Sequence, residues 1–352
     1  MLGFRPLPRT LDAAIRDAQH ASRDLVRIEA VRDLGRYAAH ADAAIRERSV
    51  SALCARLIDT TPAVRGESAL ALADAAAKPA LAALISAASD GNQKVRQMVL
   101  VALGELAEPG DAAVLRVLRA AFAADAVELR YQALIGLAHL APDDHAPLVR
   151  CLTDEDTQVR YIALRLTEER FRAGALPHQV ELRVKRALTD EDLSIRAAAA
   201  IWLLQRGDDA ARPVLAEYLN GFSKQVSAED EIAAVELAGE RALTEARPGL
   251  ERRAFGLFGG PAAWQARVAL AQLGDVAAKQ RLLRGMAAWG RDARTHAVVA
   301  VGRARMVEAT QRLRELQASG SVDAETVAEA LALITDEQPP DAEAGVAAPE
   351  PD

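Results

Sequence analysis

One string recurs along this chain and constrains its fold more than any other feature: a β-branched residue or Leu, then Arg, two variable residues, Ala, an apolar residue, two variable residues, an apolar residue, and Gly or another small residue. It runs from Val26-Arg27 to Gly35, Ile45-Arg46 to Cys54, Val64-Arg65 to Ala73, Val95-Arg96 to Gly104 and Leu129-Arg130 to Ala138. It continues at Val159-Arg160 to Leu164 and at Ile195-Arg196 to Leu204. Apolar residues at the first, fifth, sixth and ninth places form one stripe of an α-helix, so each copy predicts an amphipathic helix. Beyond Arg196 the Arg is lost in the next two copies, but the small-apolar frame persists at Ala234-Val235, Ala269-Leu270 and Ala297-Val298.

With the second place as reference, positions 27, 46, 65, 96, 130, 160, 196, 231, 266 and 294 are separated by 19, 19, 31, 34, 30, 36, 35, 35 and 28 residues. A period near thirty-two leaves room for two helices of three to four turns and two short turns. Pro147, Pro177, Pro213 and Pro248 each follow a reference position by 17 residues. Proline is tolerated in the first turn of a helix, so this slot marks the start of each partner helix. The two 19-residue spacings are too short for helix pairs, and Ile45 to Ile58 is therefore read as the first helix of a pair that happens to match the string. Composition agrees: 78 of the 352 residues are Ala and 4% are aromatic, which suits closely packed helices and excludes a β-sandwich or barrel.

The Leu-Thr-Asp-x-Asp turns and the Val/Ile-Arg strings after them, best seen in LTDEDTQVRYIAL (Leu152 to Leu164) and LTDEDLSIRAAAA (Leu188 to Ala200), resemble HEAT repeats. The likeness is to the short bacterial type called phycobilisome-lyase-like, and it covers roughly residues 20 to 335. It implies an all-α solenoid of about ten antiparallel helix pairs, and says little about function, because that solenoid hosts scaffolds, adaptors and a few enzymes. The expected organisation is an N-terminal capping segment over 1–20, with Leu2, Phe4, Pro6, Leu7 and Pro8 covering the first pair. A solenoid over 21–335 and a disordered acidic Pro/Ala tail over 336–352 follow.

Asp59, Asp90, Asp154 and Asp190 each stand six residues before Arg65, Arg96, Arg160 and Arg196. An Asp in a turn accepts from free amides, and a guanidinium one turn into the helix can fork onto a turn carbonyl or carboxylate, so these pairs are read as a structural ladder tying each turn to the next repeat. Net charge is −7, but Asp336, Glu337, Asp341, Glu343, Glu350 and Asp352 lie in the tail, leaving a body close to neutral. That balance, with only Lys78, Lys94, Lys185, Lys224 and Lys279 as lysines, argues against a nucleic-acid partner and against a HEAT-like DNA glycosylase. Cys54 and Cys151 read as free thiols in a reducing, cytoplasmic setting. No run is long and apolar enough for a membrane span.

No two of His20, His40, His139, His145, His178 and His296 share a helix face at ligand spacing, and no His-Glu dipeptide occurs. The di-iron lysine hydroxylase built on similar repeats depends on such pairs, so that activity is rejected; no metal and no cofactor are expected. Phosphate loops, Cys-x-x-Cys pairs and nucleophile elbows are missing from the sequence. Two stretches break the pattern, Asn220 to Asp230 and Phe255 to Pro261, with Phe255, Leu257 and Phe258 around a helix stop.

The function expected is a non-catalytic scaffold or adaptor that binds a protein or peptide on a concave face lined by the string-bearing helices. The alternative is an accessory lyase-like enzyme for chromophore or cofactor attachment. In most copies the third, fourth, seventh and eighth places are charged or small. In four central copies they are Met98 and Val101, Tyr131 and Ile135, Tyr161 and Arg165, and Ile201 and Trp202. These eight residues are the expected partner-binding patch, because large rings at solvent-facing places are costly to leave uncovered. Partner identity and oligomeric state are left open by the sequence.

Overall fold

The computed structural model describes residues 9–221, 227–256, 260 and 262–335. Among them are twenty α-helices and no strand. The chain forms two compact units, Met1–Val184 and Lys185–Asp352, so the boundary falls inside α11 (His178–Ala187) and not at the pattern break near residue 220.

In the first unit the pairs are α1 (Leu11–His20) with α2 (Asp24–Ala38), α3 (Ala43–Arg56) with α4 (Pro62–Asp74), and α5 (Leu81–Ala87) with α6 (Gln93–Leu106). They continue as α7 (Ala112–Phe122) with α8 (Val127–Leu140) and α9 (Ala146–Cys151) with α10 (Thr157–Arg170). The helices α2, α4, α6, α8 and α10 also pack one on the next, making a continuous row. All the Val/Ile/Leu-Arg strings of this unit lie in that row except the copy at Arg46, which sits in α3, the first helix of its pair, as its spacing predicts. The capping segment expected over residues 1–20 contains α1, packed on α2 with Ala14 and Ala18 buried; Leu2, Phe4, Pro6, Leu7 and Pro8 lie outside the described residues.

The second unit repeats the plan. Here α12 (Leu193–Gln205), α14 (Ala228–Glu240), α16 (Ala263–Gln272), α18 (Arg291–Arg303) and α20 (Ala324–Thr335) form the row. Their partners from α14 onward are α13 (Arg212–Asn220), α15 (Arg247–Phe255), α17 (Val276–Gly285) and α19 (Thr310–Ala318). Pro147, Pro213 and Pro248 occupy the first two positions of α9, α13 and α15, and Pro177 directly precedes α11, so the proline slot holds. Of the pattern breaks, residues 222–226, 257–259 and 261 lie outside the described residues, while Phe255 is exposed.

The turn chemistry explains the Asp-x-Asp signature. The first Asp closes the turn: Asp154 Oδ1 accepts from the Asp156 amide at 3.0 Å, and Asp190 Oδ1 from the Asp192 amide at 2.9 Å. The second caps the helix: Asp156 accepts from the amides of Gln158 and Val159, and Asp192 from Ser194 and Ile195. Asn92 does the same for α6. The string Arg then donates back to the turn, Arg160 to the carbonyls of Asp154 and Glu155 at 3.0 Å each. It also reaches a carboxylate of the next repeat: Arg27, which holds Asp24 of its own helix at 2.9 Å, donates to Asp59 at 3.2 Å, Arg65 to Asp90 at 2.6 and 2.8 Å, and Arg130 to Asp154 at 2.9 and 3.2 Å. Arg27, Arg130 and Arg160 are buried, which removes them from any solvent-facing basic surface.

The small residue closing each string serves the row. A Cβ placed on Gly239 would lie 2.7 Å from Ala269 Cα, and one on Gly302 would lie 2.7 Å from Ala330 Cα. Successive row helices therefore touch backbone to backbone at this place, which a larger side chain would prevent.

Candidate binding groove

The row of the first unit carries a depression of about 840 Å³ across α6, α8 and α10. Its place follows from helical geometry. Counting from Arg96, Arg130 and Arg160, the residues five and nine places on are four apart and so share one face of each helix, turned away from the Arg. At those places α6 presents Val101 and Glu105, α8 presents Ile135 and His139, and α10 presents Glu169 with Leu166 beside it. Gly104 and Gly136 contribute no side chain to the floor, where a Cβ on Gly104 would stand 3.6 Å from Gly136 Cα. The floor is thus apolar, made by Leu100, Val101, Ile135 and Leu166, with Gln132, His139, Glu105, Glu169 and Arg170 as its polar groups.

Arg170 is the unusual member. Its Nη2 donates to the Ala138 carbonyl, while Nη1 is buried with no hydrogen-bond partner. Burial pushes its pKa down, against the opposing charges of Asp143 and Asp144. A guanidinium stays protonated regardless, so the groove holds one buried donor in want of an acceptor.

The structure brings together only part of the expected patch. Val101 and Ile135 line the groove. Met98 does not: its sulfur lies against Gly66, where it fills the gap between α4 and α6. Tyr131 and Tyr161 are half-buried and outside the lining, and Arg165 Nη1 pairs with Glu168 at 3.0 Å. Ile201 and Trp202, expected to face solvent, are 4% and 3% exposed and belong to the second unit. From Ala197 to Leu204 α12 has no polar residue, and a helix apolar all round is buried all round. Gln132 and Leu166 stand at the fourth and eighth places, beside residues of the expected patch, and Arg170 lies beyond the end of the string, so the repeat pattern singled out none of the three.

Other chemistry is sparse. Both cysteines are free, Cys54 half-buried and Cys151 buried, and burial pushes the Cys151 thiol up to about 12. Among the described residues no group of three His, Cys, Asp or Glu is placed to hold a metal ion, and no helix is long and apolar enough to cross a membrane.

Comparison with known proteins agrees with the architecture. Residues 50–138 match the model of HEAT repeats. An engineered protein of solved structure is 18% identical, covers 93% of this chain and 98% of its own, and superposes with a TM-score of 0.51. Importin beta is 16% identical over 93% of this chain with a TM-score of 0.53, and this chain spans 51% of it. The CpcE and CpcF complex of phycocyanin lyase from Nostoc is 20% identical over 77% of this chain and 97% of its own, with a TM-score of 0.41, too low to bear on function. No curated protein matches the sequence. The likenesses to the engineered protein and to importin beta bear out the fold, an all-α solenoid, and the match to HEAT repeats falls within its first unit.

Proposed function

We propose that this HEAT-repeat chain is a non-catalytic scaffold that holds a segment of a partner protein in the groove on α6, α8 and α10. The observation that carries this reading is the groove itself: an apolar floor of about 840 Å³ with one buried, unsatisfied guanidinium donor. Apolar side chains of the partner would cover Val101, Ile135 and Leu166, and a carbonyl or carboxylate would answer Arg170. Of the patch expected from sequence, Val101 and Ile135 remain as contacts, joined by Gln132, Leu166 and Arg170. The two free thiols suit a reducing compartment, and a cytoplasmic location belongs to the same reading.

The test is affinity capture from the native cell extract, comparing wild type with Ile135→Glu. A protein captured by the wild type and lost by the variant, with unchanged circular dichroism and melting, supports the groove; identical captures reject it. Tyr161→Ala separates the groove from the wider patch, since capture by this variant confines the contact to the groove and its loss extends the contact to the tyrosine.

A further inference from the structure

The net charge of −7 conceals a strongly basic stretch in the second unit: between Arg247 and Arg294 nine Lys or Arg stand against three Asp or Glu. Five of these cations are engaged by the fold. Arg247 pairs with Asp275, Arg253 with Glu231 and Lys279 with Glu308, at 3.1, 2.8 and 3.0 Å. Arg252 donates to the Asn220 carbonyl at the end of α13, and Arg294 to the carbonyls of Ala288 and Trp289 at 2.9 Å each. Arg267, Arg281, Arg284 and Arg291 remain, and none of the four has a carboxylate partner among the described residues.

Chain direction brings these four to one edge. The helices α15 and α17 run towards it and α16 and α18 away from it, each packed on the next, so the start of α16, the last turn of α17 and the start of α18 meet there. Arg267, near the start of α16, donates Nε to the Ala254 carbonyl at 2.9 Å. Burial pushes its pKa down, and the charge of Arg281 pushes it down further. Two like charges are thus held close without a carboxylate between them, which costs self-repulsion until an anion answers it. Arg284 follows Arg281 by three residues, and both are exposed on α17. Arg291 opens α18, at the end of the helix dipole that disfavours a cation. In the turn between α17 and α18, Trp289 is 100% exposed. Neither the bare indole nor the uncompensated guanidinium groups stabilise the fold, and together they have the composition of a recognition patch.

We propose that this edge binds a short acidic segment of a partner protein, in which Asp or Glu residues flank one apolar side chain. The carboxylates answer Arg267, Arg281, Arg284 and Arg291, and the apolar side chain covers Trp289. Charge complementarity selects this occupant. A nucleic-acid strand carries a charge at every nucleotide and would have to pass Asp292 beside Arg291, whereas a peptide can place an uncharged residue there. The site is independent of the groove in the first unit.

Fluorescence anisotropy of the labelled peptide Asp-Glu-Asp-Leu-Asp-Glu-Asp, and of its Asn/Gln counterpart, titrated with the full chain tests the assignment. The acidic peptide is expected to bind, and the counterpart at least about tenfold more weakly, the loss of its charge-assisted contacts. Arg281→Gln combined with Arg284→Gln is expected to weaken the acidic peptide about tenfold without lowering the melting temperature, because both side chains are exposed. Trp289→Ala is expected to weaken it about fivefold or more, again with unchanged melting. Arg116→Gln, which removes an exposed charge of the first unit, is expected to bind as the wild type does and so separates the site from bulk charge. Equal binding of the two peptides, no binding of the acidic one up to about 1 mM, wild-type affinity in the Arg281 and Arg284 double variant or in Trp289→Ala, or the same loss in Arg116→Gln overturns the proposal. Tighter binding of oligothymidylate than of the acidic peptide also overturns it and assigns the edge to nucleic acid.

Discussion

At Arg130 one guanidinium reaches two repeats: it donates to the Asp125 carbonyl in its own turn at 2.6 Å and to Asp154 of the next repeat at 2.9 Å. Both side chains are under a tenth exposed, so deleting either partner strands a buried charge. Arg130→Ala should cost about 3 kcal/mol or more, measured by denaturant unfolding. Combined with Asp154→Ala the loss should fall well short of the sum, because both variants break one contact. Arg160→Ala should also destabilise the first unit and leave partner capture intact; unchanged stability with lost capture would assign that residue to recognition. The ladder also sets the response to acid. Its pairing with Arg65, a contribution larger than the opposing effect of burial, holds the Asp90 carboxyl below the usual carboxylate range. Burial works against ionisation of Asp154, but Arg130 and the Asp156 amide outweigh it, and its carboxyl too is held low. A group whose folded pKa is depressed stabilises the fold above its unfolded value, about 4, and loses that contribution as pH falls through the folded value. Melting temperature should therefore drop on acidification below about pH 4, and Asp90→Asn, less stable at neutral pH, should show the shallower drop.

Among elements, the row helices depend on their starts and on the small residues at their ends. Asp192 caps α12 through the amides of Ser194 and Ile195, and Asp192→Ala should cost about 1 kcal/mol by chemical denaturation. Gly302 meets the backbone of Ala330, so a larger side chain must push α18 and α20 apart. Gly302→Val should lower stability by about 2 kcal/mol or more, with Gly302→Ala intermediate. Equal stability of both variants with the wild type would mean that the row tolerates separation at this place.

At the scale of the whole molecule, each repeat buries its apolar faces only against its neighbours, so damage should stay local to a unit. The variants in α8 and α10 should loosen amide protection in the first unit before the second, as hydrogen exchange would show. Residues 336–352 lie outside the described residues. The sequence-based expectation of an acidic Pro/Ala tail with no large apolar cluster is tested by truncation. Deleting 338–352 should leave the melting temperature unchanged, and a clear drop would show that this segment docks.

The helices, their pairing from residue 65 onward, the odd copy at Arg46, the proline slot and the Asp/Arg ladder were legible because each rests on spacing within forty residues. Helical period and cap chemistry are local, and the repeat wrote them many times over. The sequence did not tell which exposed-looking place was empty space. Met98 reads as surface until Gly66 of the preceding row helix leaves a gap for it. Trp202 reads as a solvent-facing ring, but α12 is apolar around its whole circumference and is enclosed. The groove itself depends on Gly104 and Gly136 in helices brought together only by stacking, and on Arg170 folding back to the Ala138 carbonyl from two helices away. Periodicity specifies which face of a helix is apolar; how far apart neighbouring faces stand, and so what is buried and what is left open, is a property of packed volume that only the tertiary structure decides.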